Sequence, residues 1–227
     1  IDDGSTPEEL ERTITVTNQY QIPLLINPQR LGVSKSWNLL TRHYDSEYIV
    51  LLNNEIEVTA YWLYALLFSL EYNPQLGVIG FNAFEGPNRY QNPLVPTYYE
   101  AKLLHGSKSA PLLACRGYAF GFSKQNFDLV GGFDERYYYF FEEVDFCLKL
   151  LENQKRSAIL SEPVLLHEHG ATTSADPTHV KVFQTSQQLF EEKWSCQWKN
   201  IRQRFPANLL PSMETLDEWN TNIKIWG

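Results

Sequence analysis

Short apolar runs bounded by polar residues recur through the first half of the chain. The runs Ile22–Ile26, Tyr48–Leu52 and Gly77–Phe81 each have the length of a buried strand. Because they carry little polar alternation, they are typical of strands covered on both faces. The sequence therefore predicts a central sheet.

Helical patterns separate these runs. Thr6-Pro7, followed by Glu9, has the residues of a capping box with proline in the first turn, which predicts a helix to about Thr17. Ser34–Arg42 and Thr59–Tyr72 have helical apolar spacing. The alternation predicts an α/β fold with a mostly parallel sheet flanked by helices, and with functional residues at the carboxyl ends of the strands.

The second half of the chain is less regular. Four prolines interrupt residues 85 to 111, which predicts a long loop. The elements expected after it, in chain order, are a strand at Gly117–Ser123, a short helix at Lys124–Val130, a turn at Gly131–Asp134, a helix at Glu142–Glu152, strands at Ser157–Leu160 and Val164–His167, and a helix from His179 to about Asn200.

Composition narrows the function. The formal net charge of −8 and the absence of a Lys/Arg cluster argue against nucleic-acid binding. A nucleotide diphosphate remains compatible with an acidic chain if a divalent cation lies between carboxylates and phosphates. Three widely spaced cysteines favour a reducing compartment, and no apolar run reaches the roughly 18 residues of a membrane span. We expect a cytoplasmic protein for which peripheral membrane contact stays open.

Asn53-Asn54-Glu55 directly follows an apolar run. A carboxylate at the end of a buried strand, together with phosphate oxygens, suffices to hold Mg²⁺ or Mn²⁺. The alternative is a polar turn that closes the strand. The spacing alone favours this alternative.

Glu142-Glu143-Val144-Asp145 begins a predicted helix after an aromatic run. Acidic residues at a helix N-terminus are stabilised by the backbone dipole, which is a sufficient structural explanation. Crowded carboxylates beside aromatic surface also perturb one another's proton affinity, as a general base requires. Both interpretations stay open.

Two smaller features complete the candidate chemistry. His167 and His169 face the same side of a predicted strand, as metal ligation could require, although an HExxH motif is absent. Gly32 lies in a strand-to-helix turn where backbone amides could meet phosphate. Neither a Walker loop nor a GxGxxG motif is present, which disfavours an ATPase and a Rossmann dehydrogenase.

In chain order, these motifs resemble those of the family-2 inverting glycosyltransferases of the GT-A fold, especially the bacterial O-antigen and rhamnosyltransferase-like branch. The match is most specific from Gly131-Gly132-Phe133-Asp134-Glu135 to Glu142–Asp145, with His167 placed 24 residues after Glu143. The other matching segments are Ile1–Ser5, Gly32–Asn38, Leu52–Glu55 and the helix Leu189–Trp194.

The resemblance implies an N-terminally truncated GT-A domain over residues 1–200, lacking the family's first strand and helix, and a tail over 201–227. It implies a nucleotide-diphosphate sugar donor, Mn²⁺ or Mg²⁺, a saccharide, lipid-linked or protein acceptor, and a role in polysaccharide biosynthesis. The implied roles are Glu143 as general base, Glu55 and His167 as metal ligands, Glu142 and Asp145 at the acceptor, and Asp2, Asp3, Gly32, Asn38, Asn53 and Asn54 at the nucleotide. His169 becomes a bystander.

Glu55 and Glu143 each stand where the resembling family usually carries Asp. This exchange leaves a second hypothesis open, a catalytically silent sugar-nucleotide or carbohydrate binding module on the same fold. A third hypothesis is a glycoside hydrolase, because paired carboxylates also cleave sugars without a nucleotide.

Overall fold

The computed structural model describes residues 1–85, 109–112, 114–167 and 178–205. Most of the predicted loop 85–111, His169, and the chain after residue 205 lie outside these residues. The described strands are β1 (Asp2–Asp3), β2 (Ile26–Asn27), β3 (Tyr48–Leu52), β4 (Ile56–Glu57), β5 (Leu76–Glu85), β6 (Ser109–Leu112), β7 (Ala119–Ser123) and β8 (Arg156–His167).

Most helices begin and end close to the predicted positions, but the last α-helix ends at Trp194, where the sequence predicted a helix to about Asn200. The helices are α1 (Pro7–Gln19), α2 (Val33–His43), α3 (Trp62–Tyr72), α4 (Lys124–Leu129), α5 (Glu142–Glu152) and α6 (His179–Trp194), followed by a 3₁₀ helix at Trp198–Arg204. The capping box is confirmed, because the Thr6 hydroxyl accepts from the Glu9 amide and the Glu9 carboxylate accepts from the Thr6 amide. Within the described residues, no helix has both the length and the apolarity to cross a membrane.

The larger sheet is mixed. Its strands run in the order β3-β7-β5-β8-β4, with β6 also paired to β8. Only β5 and β8 pair in parallel there, among the pairings of the described residues, whereas β1 and β2 form a separate parallel pair. The α/β class is as predicted, but mostly parallel pairing was wrong for the larger sheet. The reason is that β7 inserts between β3 and β5 and runs opposite to both.

Two strand predictions also change. Ser157–Leu160 and Val164–His167 belong to one strand, β8, whose pairing with β5 jumps between Leu160 and Leu165. The break that the sequence suggested at Pro163 falls inside this irregularity, where a missing amide donor is tolerated. Of the predicted strand Ile22–Ile26, only Ile26 is extended, because β1 offers a pairing partner to Ile26 and Asn27 alone.

The core lies on both faces of the larger sheet. Neighbouring residues of β5 face opposite sides, so Val78 joins the cluster under α5 and α6, while Ile79 joins the cluster under α3. Both side chains are fully buried. The sheet thus has helices on each face and carries its polar strand ends at one edge.

The chain between α6 and residue 205 packs against the core. After α6, the chain turns through Ser195 in the left-handed conformation and enters the 3₁₀ helix. Ile201 and Phe205 are buried in the cluster under α5 and α6. The packed structure therefore continues past the predicted boundary at residue 200.

Candidate active site

The turn after β3 places Glu55 beside the end of β8. The Asn53 amide donates to the Tyr118 carbonyl at 2.8 Å, and the Ile56 amide donates back to the Asn53 carbonyl at 3.2 Å. The next residues form β4, in which Ile56 pairs with His167. The Glu55 side chain therefore emerges next to the imidazole, whereas Asn54 is exposed on the turn.

Glu55 and His167 form a close polar pair. Glu55 Oε1 lies 3.6 Å from His167 Nε2, and the two side chains are only 14% and 6% exposed. The hydrogen-bonding contact with His167 lowers the pKa of Glu55, against the effect of burial. Glu55 is therefore anionic at neutral pH, as a metal ligand must be.

The pair fits an oxygen-and-nitrogen site for a small divalent ion. Two ligand atoms at about 2.1 Å from a metal and at right angles to each other are about 3.0 Å apart. The observed 3.6 Å is within a small side-chain movement of that value. No group of three His, Cys, Asp or Glu that could hold a metal occurs in the described part of the chain. The protein would supply two ligands, and phosphate and water the others.

The acidic pair Glu142-Glu143 begins α5. Phe140 and Phe141, which precede it, both have φ near +70°, at +69° and +68°. For bulky residues this conformation costs of order 1–3 kcal/mol each, and it persists only where the surroundings enforce it. Here aromatic packing holds both side chains, with Phe140 edge-on to Phe183 and Phe141 against Phe190. The start of the helix is therefore rigidly placed.

The two carboxylates differ in proton affinity. Burial, followed by the charge of Glu143, raises the pKa of Glu142 well above its usual range. Burial also raises the pKa of Glu143, to about 6, and backbone amides of Glu143, Val144 and Gly117 partly oppose this effect. At pH 7.5, Glu143 is therefore ionised, whereas burial favours the neutral form of Glu142. Each has a buried Oε2 with no hydrogen-bond partner among the described residues.

Gly117 and Tyr118 connect the acidic pair to the Glu55–His167 pair. The Tyr118 ring lies 4.7 Å, centroid to centroid, from the His167 ring, and the Tyr118 hydroxyl donates to the Phe81 carbonyl. Gly117 lies directly against the Glu143 side chain. The structure thus joins the three polar clusters that the sequence singled out separately.

The sequence did not identify Gly117 and Tyr118 as site residues. They precede β7, whose first residue, Ala119, pairs with Leu52 at the end of β3. Antiparallel pairing of these two segments would have placed residues 117–118 beside Asn53. The prediction of a parallel sheet hid this signal.

The predicted nucleotide-side residues lie around the start of α2. The Asp2 carboxylate accepts from the amides of Gly4 and Ser5, and so fixes its own turn. The Asp3 carboxylate accepts from the amides of Leu31 and Gly32. Gly32, at φ +88°, is the N-cap of α2, and Tyr138 occupies the space where a side chain would lie. The amide of Gly32 is thus already engaged by Asp3.

Asn38 holds a loop instead of facing open space. Its amide oxygen accepts from the Phe133 amide at 2.8 Å, and its nitrogen donates to the Phe133 carbonyl at 2.9 Å. The side chain is 1% exposed. Asn38 therefore anchors the Gly131–Glu135 turn to α2, and the geometry gives no support to direct contact with a nucleotide.

Asp145 is likewise engaged internally. It is fully buried, and its carboxylate accepts from Lys193 Nζ at 2.9 Å and from Trp194 Nε1 at 3.0 Å. Lys193 also bonds Asp134, at 2.7 Å. These contacts attach α6 to α5, and the predicted acceptor contact of Asp145 finds no support in this arrangement. Glu142 lies next to Glu143 at the start of α5.

Comparison with known proteins gives a consistent picture. A family model described as glycosyl transferase family 2 matches residues 1–130. Comparison with curated proteins gives no significant match.

Solved structures with similar folds include three that are described with a nucleotide or nucleotide sugar. A mannosyltransferase from Pyrobaculum calidifontis, in complex with GDP-Man and Mn²⁺, has a TM-score of 0.55 at 16% identity, over 75% of this chain and 47% of that one. GalNAc-T7 with UDP, GalNAc and Mn²⁺ has a TM-score of 0.58 at 12% identity, over 89% of this chain and 49% of that one. S. aureus TarS 1-349 in complex with UDP-GlcNAc has a TM-score of 0.54 at 13% identity, over 88% of this chain and 64% of that one. The chain spans about half the length of the first two.

Proposed function

Because the chain belongs to glycosyl transferase family 2, we propose that it transfers a sugar from a nucleotide-diphosphate donor to an acceptor hydroxyl with inversion. One observation carries the proposal. An ionised Glu143 with an unpartnered oxygen is joined through Gly117-Tyr118 to a Glu55–His167 pair that suits a divalent cation. A base and a diphosphate-binding site are the two parts that such a transfer needs.

Glu55 and His167 would hold Mn²⁺ or Mg²⁺. When bound, the cation would offset negative charge on the departing diphosphate. Two of the structural neighbours contain Mn²⁺, one together with GDP-Man and one together with UDP and GalNAc. The β4–β8 pairing fixes the backbone of His167 and of Ile56, the residue directly after Glu55, so the separation of the pair does not depend on a long loop.

Glu143 would act as the general base. Its pKa of about 6 keeps it ionised at neutral pH yet close enough to neutrality to accept a proton, which is the balance that base catalysis favours. The free Oε2 would take the proton of the acceptor hydroxyl as its oxygen attacks the anomeric carbon. Attack on the side opposite the leaving diphosphate inverts that centre.

Glu142 would bind the acceptor as a neutral acid. Burial favours its neutral form, in which it would donate a hydrogen bond without adding a second charge next to Glu143. For the nucleotide, Asn53 and Asn54 emerge beside Glu55. Asp3 holds the amides of Leu31 and Gly32 before α2, and Asp2 fixes the turn before α1. We assign the base contact to this turn and the phosphate side to Asn53.

The donor remains to be identified by experiment. A panel of UDP-, GDP- and dTDP-sugars, each tested for thermal stabilisation with and without Mn²⁺, should give a metal-dependent shift for one nucleotide class. His167→Ala should remove the dependence on Mn²⁺. Two results would count against the metal assignment. One is a nucleotide sugar that stabilises the wild type equally in Mn²⁺ and in EDTA, and the other is a His167→Ala variant that Mn²⁺ and the nucleotide sugar stabilise as much as the wild type.

Turnover separates an enzyme from a binding module. Glu143→Gln should lose donor turnover by a factor of about 10² to 10⁴ while keeping metal-dependent donor binding. Glu11→Gln, an exposed position on α1, is the matched control. Retained turnover in Glu143→Gln would refute the base assignment. Donor binding without turnover in the wild type, with every acceptor class tested, would favour the silent module.

A further inference from the structure

The main chain at Gly117 lies against the side chain of the proposed base, Glu143. A Cβ built at this position would lie 3.3 Å from both Cδ and Oε1 of Glu143, and 3.6 Å from its Cγ. The two shorter distances are tighter than ordinary van der Waals contact, which begins at about 3.4 Å. A side chain at residue 117 would therefore push the carboxylate by a few tenths of an ångström.

The backbone does not require glycine here. Gly4, Gly32, Gly131 and Gly132 have positive φ, but Gly117 does not. Any residue could adopt its conformation without strain. What a side chain would meet is Glu143, so the space for the carboxylate is the physical reason for a glycine at this position.

Glu143 is also one methylene longer than the Asp that the resembling family usually carries. The extra length brings its carboxylate up to the main chain at Gly117, where an amide contributes to holding the charged form. The other ionisable groups around the carboxylate are Glu142 and Cys147 on α5. Arg116 and Tyr118 flank Gly117 in the chain.

We propose that Gly117 is a positioning residue for the transfer reaction: its missing side chain seats the longer Glu143 carboxylate against the main chain and aims it at the acceptor. This inference rests on the proposed function.

A four-protein cycle tests the inference: wild type, Gly117→Ala, Glu143→Asp, and the double variant. With Glu143 present, Gly117→Ala should lower kcat about tenfold and leave the donor KM within about twofold, because small misplacements of a catalytic group are costly. In the Glu143→Asp background, the shorter side chain no longer reaches the added methyl. The same Gly117→Ala change should then alter kcat by less than about twofold.

The pH profile and the thermal melts give independent measurements. Gly117→Ala should move the apparent midpoint of kcat to higher pH in the Glu143 background, because the methyl group further shields the carboxylate from water. It should leave the midpoint unchanged in the Glu143→Asp background. Gly117→Ala should also change the melting temperature more when residue 143 is Glu than when it is Asp, as expected for residues in contact.

Equal losses of kcat in both backgrounds would overturn the inference, since they would show a general structural effect of Gly117→Ala. A loss expressed in donor KM with kcat unchanged would do the same. Failure of the proposed function looks different: the wild type would turn over no donor. The melting temperatures of the four proteins then still decide whether residues 117 and 143 interact. Additive changes in melting temperature would overturn the proposed contact between Gly117 and the Glu143 carboxylate.

Discussion

Replacing Glu143 by Gln should stabilise the folded protein at neutral pH. The pKa of Glu143 in the fold is about 6, compared with an ordinary value of 4.5. Because folding raises this pKa, ionisation is less favourable in the folded state than in the unfolded chain. The stability associated with the neutral form is therefore complete below pH 4.5 and is lost as the pH rises through 6.

The size of the effect follows from that difference. Each pKa unit corresponds to about 1.4 kcal/mol, so ionised Glu143 costs the folded state about 2 kcal/mol above pH 7. Gln has nearly the shape of the protonated acid and cannot ionise. For a chain of this length, about 2 kcal/mol corresponds to an increase in Tm of roughly 4–8 °C.

The assay compares denaturant unfolding of wild type and Glu143→Gln at pH 5, 6, 7 and 8. The difference in free energy of unfolding, in favour of Gln, should be about 0.8 kcal/mol at pH 5 and rise to about 2 kcal/mol by pH 7, where it levels off. Glu11→Gln, at an exposed position, should show no pH-dependent difference. A difference that stays constant with pH, or that falls as the pH rises, would refute the assignment of burial as the cause of the raised pKa.

Three further predictions concern activity and the anchoring contacts. The kcat/KM for the donor should rise about tenfold per pH unit below pH 6 and level off above pH 7, because the base must be ionised; a flat profile from pH 5 to 8 would contradict it. Asn38→Ala should lower the free energy of unfolding, measured in urea, by about 2–4 kcal/mol, because the amide and the carbonyl of Phe133 both lose their partner. A loss under about 0.5 kcal/mol would contradict the anchoring role of Asn38. Lys193→Met leaves the buried Asp145 without its cation and should lower the free energy of unfolding in urea by about 3 kcal/mol at pH 7.5. The loss should be smaller at lower pH, where Asp145 can protonate, and a loss that does not depend on pH would indicate that only packing is affected.

Local sequence determined the helices. The capping box of Thr6 and Glu9 and the acidic first turn at Glu142 are signals that act within one helical turn, so α1 and α5 begin where the sequence predicts. The apolar run Tyr48–Leu52 likewise marked β3 with the bounds that the structure has. The order of the motifs along the chain predicted the family correctly.

Only the tertiary structure decided strand direction and the bounds of the irregular strands. Antiparallel pairing of β7 between β3 and β5 is a long-range choice that no local pattern encodes. The same holds for β8, which continues past Pro163 because its partner β5 accommodates the break in register. Residues 22–25 are apolar enough for a strand, but β1 pairs only with Ile26 and Asn27.

The candidate site shows the same division. The sequence supplied Glu55, Glu143 and His167, because carboxylates and imidazoles are recognisable by their chemistry wherever they lie. It could not show that Asn38 and Asp145 turn inward to hold Phe133 and α6, since polar side chains carry no local sign of their partners. Nor could it single out Gly117, whose importance is the absence of a side chain beside Glu143. That contact exists only because antiparallel pairing of β7 with β3 brings residue 117 to the start of α5.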